Sequence, residues 1–102
     1  MRILIPKTSD AATTVVEIGK NQNEQPCLPV TFFVVGGDVA DTKAVSIKYA
    51  DDTGSTRAWK QLEKGGTELV LDPDTNYVVI DFPGTFQIAK PADAGEIGIA
   101  IA

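Results

Sequence analysis

Asp72, Asp74 and Asn76 stand at the alternate spacing of the first three oxygen ligands of an EF-hand calcium loop. That loop also needs a Gly at its sixth position, for the sharp turn, and a bidentate Glu at its twelfth. Tyr77 and Pro83 occupy those positions instead. A looser calcium site could draw on Asp51, Asp52 or Asp72 and Asp74. The competing reading is that Asp and Asn favour turns because their side chains accept bonds from nearby backbone N–H groups. The chain has no histidine, so the commonest general base, its triads and His-based metal sites are absent. Cys27 has no imidazole partner and sits among prolines, which fits a structural thiol better than a nucleophile. Ser9, Ser46 and Ser55 lack a nucleophile elbow. Gly36-Gly37 and Gly65-Gly66 are not followed by Lys-Ser/Thr and read as turns, not phosphate loops. Trp59, Tyr49, Tyr77 and the phenylalanines could stack on sugar rings, but their alternating context favours core duty. The expectation is therefore no catalytic, cofactor-binding or metal-binding residue, no cofactor, and no enzyme.

The elements that carry these residues are strands. From Asn76 to Lys90 the chain reads NYVVIDFPGTFQIAK. Val78, Ile80 and Phe82 alternate on one side, and Phe86 and Ile88 resume the pattern after Pro83-Gly84. Strict alternation places one face of a strand in a core, and Pro-Gly marks a corner between two strands. Thr13–Ile18 is β-branched. Val30–Val35 (VTFFVV) is apolar on both sides and reads as covered on both faces. Ala44–Tyr49 turns Val45, Ile47 and Tyr49 inward. Thr56–Leu62 reads as a strand paired with Ala44–Tyr49 by a hairpin across Asp52 to Ser55, within the Asp51–Ser55 turn cluster. Glu68–Leu71 is a further short strand, and Glu96–Ala102 (EIGIAIA) alternates Ile97, Ile99 and Ile101 against small residues. Turn signals every ~8–12 residues, without a helical pattern, predict an all-β fold, an antiparallel sandwich of about eight short strands, Ig-like or jelly-roll-like. The expected core contains Phe32, Val34, Ile47, Trp59, Val78, Ile80, Phe86 and Ile88.

Composition narrows the partners. With 102 residues the chain has room for one core, so residues 1–102 are expected to form a single domain, with residues 1–12 readable as an N-terminal arm. Nine Lys and Arg against fourteen Asp and Glu give a net charge of −5, which disfavours a nucleic-acid backbone as partner. A single Cys allows no internal disulfide, as suits a reducing cytoplasm. The opening apolar run, Ile3-Leu4-Ile5, stops at Pro6 and is too short for a signal or a membrane span, so no membrane partner and a soluble intracellular start are expected.

The second half, with YADDTGSTRAW, the KGG turn, ELVL, NYVVIDFPGTFQIAKP and a glycine-containing last strand, resembles small structural proteins of tailed-bacteriophage virions over about Val45–Ile101. There a Gly-containing turn precedes a Trp, and Pro-Gly before an aromatic strand leads to a final apolar strand. The resemblance implies a capsid decoration (cement) or fibre-base protein. Such a protein is assembled in the bacterial cytoplasm, resides in the virion, and contacts a capsid or other virion protein as a homo-oligomer, with a trimer favoured. A carbohydrate- or receptor-binding sandwich module is the alternative. The hydrophobic, weakly charged ends bear on the same question. Ile3, Leu4, Ile5, Ile97, Ile99 and Ile101 are expected either to pair inside one sandwich or to form the interface of an assembly, and the interface is the reading adopted here.

Overall fold

The alternating segments become strands, and no helix occurs among the residues that the computed structural model describes, which are 2–19, 28–41, 43–51, 54, 56–92 and 94–102. Cys27 and most of the Asp51–Ser55 turn lie outside them. The strands are β1 (Arg2–Thr8), β2 (Ala12–Ile18), β3 (Val30–Val35), β4 (Val45–Asp51), β5 (Ala58–Gln61), β6 (Glu63–Lys64), β7 (Thr67–Glu68), β8 (Val70–Leu71), β9 (Tyr77–Ile80), β10 (Gly84–Lys90) and β11 (Ile97–Ile101). Nine of them form two antiparallel sheets in the order β1-β11-β3-β9 and β2-β10-β4-β5, with β8 also on β4, and β6 and β7 pair as a separate two-stranded ribbon. Pro83-Gly84 is the place where the chain leaves the first sheet and enters the second.

Between the sheets lies one apolar cluster. From the first sheet come Ile5, Val30, Phe32, Val78, Ile80, Ile97, Ile99 and Ile101. The second contributes Val16, Ile18, Val45, Ile47, Leu71, Phe86 and Ile88. Phe86 joins the layers: its ring meets Phe32 edge-on at 6.2 Å and Phe82 at 5.5 Å, an arrangement that the ring quadrupoles favour. Of the expected core, Val34 is only half-buried, although it packs against the cluster.

Trp59 departs further. β5 pairs with β4 so that Trp59 stands opposite Ala50, on the side away from Ile47 and Val45, and its ring is half-buried on the outer face of the second sheet. Phe82, expected inward, is 40% exposed, because β9 ends at Ile80 and the alternation lapses at the corner. Within the stretch expected as an arm, residues 2–8 are held in the sheet: β1 pairs with β11 from Arg2↔Ile101 to Thr8↔Ile97.

Two bulges interrupt that pairing, between Ile3 and Ile5 and between Ile5 and Thr8. The second folds the β1 backbone over Gly98, where a Cβ would stand 2.7 Å from the Ile5 carbonyl oxygen and 2.9 Å from the Lys7 nitrogen. The small residues of the last strand therefore admit close approach by this chain's own first strand at Gly98. Just beyond β1, the buried Lys90 donates from Nζ to the Asp10 carbonyl at 2.8 Å and ties down the β1–β2 turn.

β5 and β8 are two pieces of one edge along β4, at Lys48↔Gln61 and Ser46↔Val70. Between them the chain loops out as the β6–β7 ribbon, which alternation alone does not reveal because its strands are only two residues long. Gly65-Gly66 closes the ribbon with φ of 62° and 83°, and a left-handed pair of this kind matches the twist of a two-residue hairpin. At the base, Leu69 N donates to Leu62 O at 2.8 Å. The Gln61 amide donates to the carbonyls of Ile47, Leu62 and Leu69 at 3.1–3.3 Å. Replacing Gln61 by Leu leaves the Leu69 carbonyl without that donor. We expect a loss of about 1 kcal/mol in urea denaturation, the low end for an abandoned polar group because this carbonyl is only part-buried, with amide exchange accelerating first at Leu62 and Leu69.

Candidate interaction surface

Two of the residues weighed for metal binding, Asp72 and Asp51, are occupied otherwise. Asp72 Oδ1 accepts from Asp74 N at 2.9 Å and Thr75 N at 2.7 Å, so its carboxylate shapes the Pro73-Asp74 turn. Asp51 lies 2.9 Å from the Lys60 ammonium; the hydrogen bond to Asp51, reinforced by its charge, raises the Lys60 pKa above its ordinary value. Asp52 is outside the described residues. Among those described, no three His, Cys, Asp or Glu side chains converge on a point that could hold a metal ion.

The aromatic residues do not assemble into one platform. Trp59 is on the outside of the second sheet with the Arg57 guanidinium 5.7 Å from its ring centre, a distance typical of cation–π contact. Tyr49 is half-buried against the core cluster, Tyr77 is on the first sheet, and Phe82 is at the corner. Of the six residues expected at an interface, Ile5, Ile97, Ile99 and Ile101 have their side chains in this chain's own core. This corrects the interface reading for those four: the terminal strands pair with each other, and burial within the sandwich satisfies their apolar surface. Leu4 is half-buried against the cluster, and only Ile3 is substantially exposed, at 46%.

Ile3 belongs to a surface that sequence alternation had not singled out. Across the outer side of the first sheet, Ile3 stands opposite Ala100, Ala100 opposite Phe33, and Phe33 opposite Tyr77. Beside that row Thr31 is opposite Val79, and Val35 is opposite Gly98. Tyr77 is 58% and Val79 49% exposed, while Phe33 and Val35 are half-covered. Ala100, between larger neighbours, has no exposed surface. None of these residues carries a charge. The outer side of the second sheet is different, with Glu17, Lys48, Gln87 and Ser46 among its residues. The signal was present in VTFFVV and YVVI, which are apolar at both odd and even positions, so that apolar residues remain on the side turned away from the core.

A second feature adjoins β9. A cleft of about 250 Å³ separates this strand and the corner after it from the base of the β6–β7 ribbon. Leu62, Leu69, Val79 and Phe82 give it apolar walls, and Glu63, Lys64 and Asp81 supply charge.

The fold thus defines an all-β protein of two packed antiparallel sheets. No helix among the described residues is long and apolar enough to cross a membrane. No family model, curated protein or solved structure matches the chain.

Proposed function

We propose that this chain is a non-enzymatic structural protein of a tailed-phage virion, which decorates or cements a capsid as a homo-oligomer. The observation that carries the reading is the uncharged, apolar outer face of the first sheet. Contiguous exposed apolar surface on a soluble domain marks an interaction site. Here it is presented by a rigid sheet, on a chain whose net charge of −5 makes other faces of identical copies repel one another. The resemblance of Val45–Ile101 to small virion proteins supplies the biological setting, and the trimer is its favoured order.

Light scattering on the purified protein tests the oligomer. The expected mass is a multiple of the 10.8 kDa chain. Ile3→Lys combined with Tyr77→Lys places two charges on the apolar face at positions outside the core, so the circular dichroism stays that of the parent. Association should weaken by roughly tenfold or more, because burying an unpaired ammonium opposes contact. A parent protein that is strictly 10.8 kDa and does not bind isolated phage capsids overturns the reading.

A further inference from the structure

β9 is an edge strand, and its hydrogen-bonding directions can be assigned. Val34 N donates to Asn76 O at 3.0 Å, on the β9 side of β3, while Thr31 exchanges bonds of 2.9 and 3.0 Å with Ala102, on the β11 side. Antiparallel pairs alternate between bonded and non-bonded. Val78 and Ile80, opposite Phe32 and Val30, therefore direct their amides and carbonyls to β3. Those of Tyr77 and Val79 point the other way, to the open edge. Among the described residues β3 is the only strand paired with β9. The opposite edge of the same sheet, β1, is blunted by two bulges, Pro6 and Lys7, devices that discourage strand addition. β9 has no bulge against β3.

The cleft lies along this open edge, so main-chain groups of Val79 that have no partner among the described residues adjoin an apolar recess walled by Leu62, Leu69 and Phe82. This combination fits strand addition, in which main-chain bonds provide affinity and a pocket for alternate side chains provides selectivity. We propose that the β9 edge accepts an extended peptide strand of a partner protein, with one apolar side chain in the cleft and a basic residue facing Asp81 and Glu63. Two carboxylates against the single Lys64 ammonium leave the rim negative. A second copy of this chain would bring a like-charged rim to the contact, whereas a basic strand complements it. The inference gives the virion reading a class of partner, an extended segment of a neighbouring protein, but depends on neither the apolar face nor the oligomeric order.

The test uses the full chain and an acetylated, amidated heptapeptide that alternates Thr with Leu and carries Lys at both ends. Amide NMR should show saturable shifts at Val79, Asp81, Leu62 and Leu69, with slowed exchange of the Val79 amide. Methylating one alternate set of peptide nitrogens should weaken binding roughly tenfold, and methylating the other set should not. Val79→Pro removes the outward N–H without touching the ladder to β3, a substitution edge strands tolerate. It should weaken binding by a similar factor while the rest of the spectrum is kept. No saturable shift at millimolar peptide, or equal binding by the parent, Val79→Pro and both methylated peptides, overturns the proposal. A monomeric mass in light scattering would instead count against the homo-oligomer and leave this edge as it stands.

Discussion

Phe86→Ala lowers the unfolding free energy by about 3–5 kcal/mol, the range for truncating a buried aromatic. The side chain has no exposed surface and is the link between Phe32 in one sheet and Phe82 at the corner. Its removal leaves a cavity where the layers meet, and the flanking strands cannot collapse into it without breaking the pairing of β10 with both β2 and β4. Against a typical total of about 5–15 kcal/mol, this puts the variant near the limit of folding. Urea denaturation followed by near- and far-UV circular dichroism provides the measurement. Phe86→Leu retains much of the volume and should lose less than half as much. Equal stability of parent and Phe86→Ala would show that the ring does not join the two sheets.

Gly98→Ala destabilises by the opposite route. The glycine needs no unusual backbone; it needs empty space, since its missing Cβ would press on main-chain atoms of Ile5, Pro6 and Lys7 at 2.7–3.2 Å. Backbone cannot rotate away as a flexible side chain can. Either β1 lifts from β11 or the last strand shifts within the sheet. Overpacking of this kind costs about 1–3 kcal/mol, and more where neighbours are rigid. The damage should be local at first: amide exchange across Ile5–Thr8 accelerates, and protease cleaves within β1 before the rest of the domain unfolds. Ala100→Gly, in the same strand but without such a contact, separates the steric effect from any general weakening of β11.

Much of this architecture could be read from alternation alone. Val45 and Ile47, Val78 and Ile80, Phe86 and Ile88, and Ile97, Ile99 and Ile101 are buried as their periodicity required, because a strand of period two has no other way to hide every second side chain. Pairing was legible only where a turn joined neighbours, as between β4 and β5. The side occupied by Trp59 was not, since a one-residue change of register inverts a strand's faces. β3 was ambiguous for a related reason: with apolar residues at odd and even positions, both of its faces looked like core. The outer face of the first sheet therefore came into view only through cross-strand register, and the β9 cleft only through folding, which brings the ribbon base near residues 79–82.

The strand order of the first sheet has a consequence for how the protein folds. β11 sits between β1 and β3. Until β11 docks, β1 and β3 have no common neighbour, whereas β2, β4 and β10 of the second sheet have all their partners within residues 12–90. The second sheet can form first, with its apolar side uncovered until Ile97, Ile99 and Ile101 are in place. Closure then depends on contacts between distant parts of the chain, the class that forms slowly, and the interval before it is when a partly folded chain is most exposed to aggregation. β11 acts as a clasp, and a chain without it would be a half-built sandwich rather than a slightly shortened one.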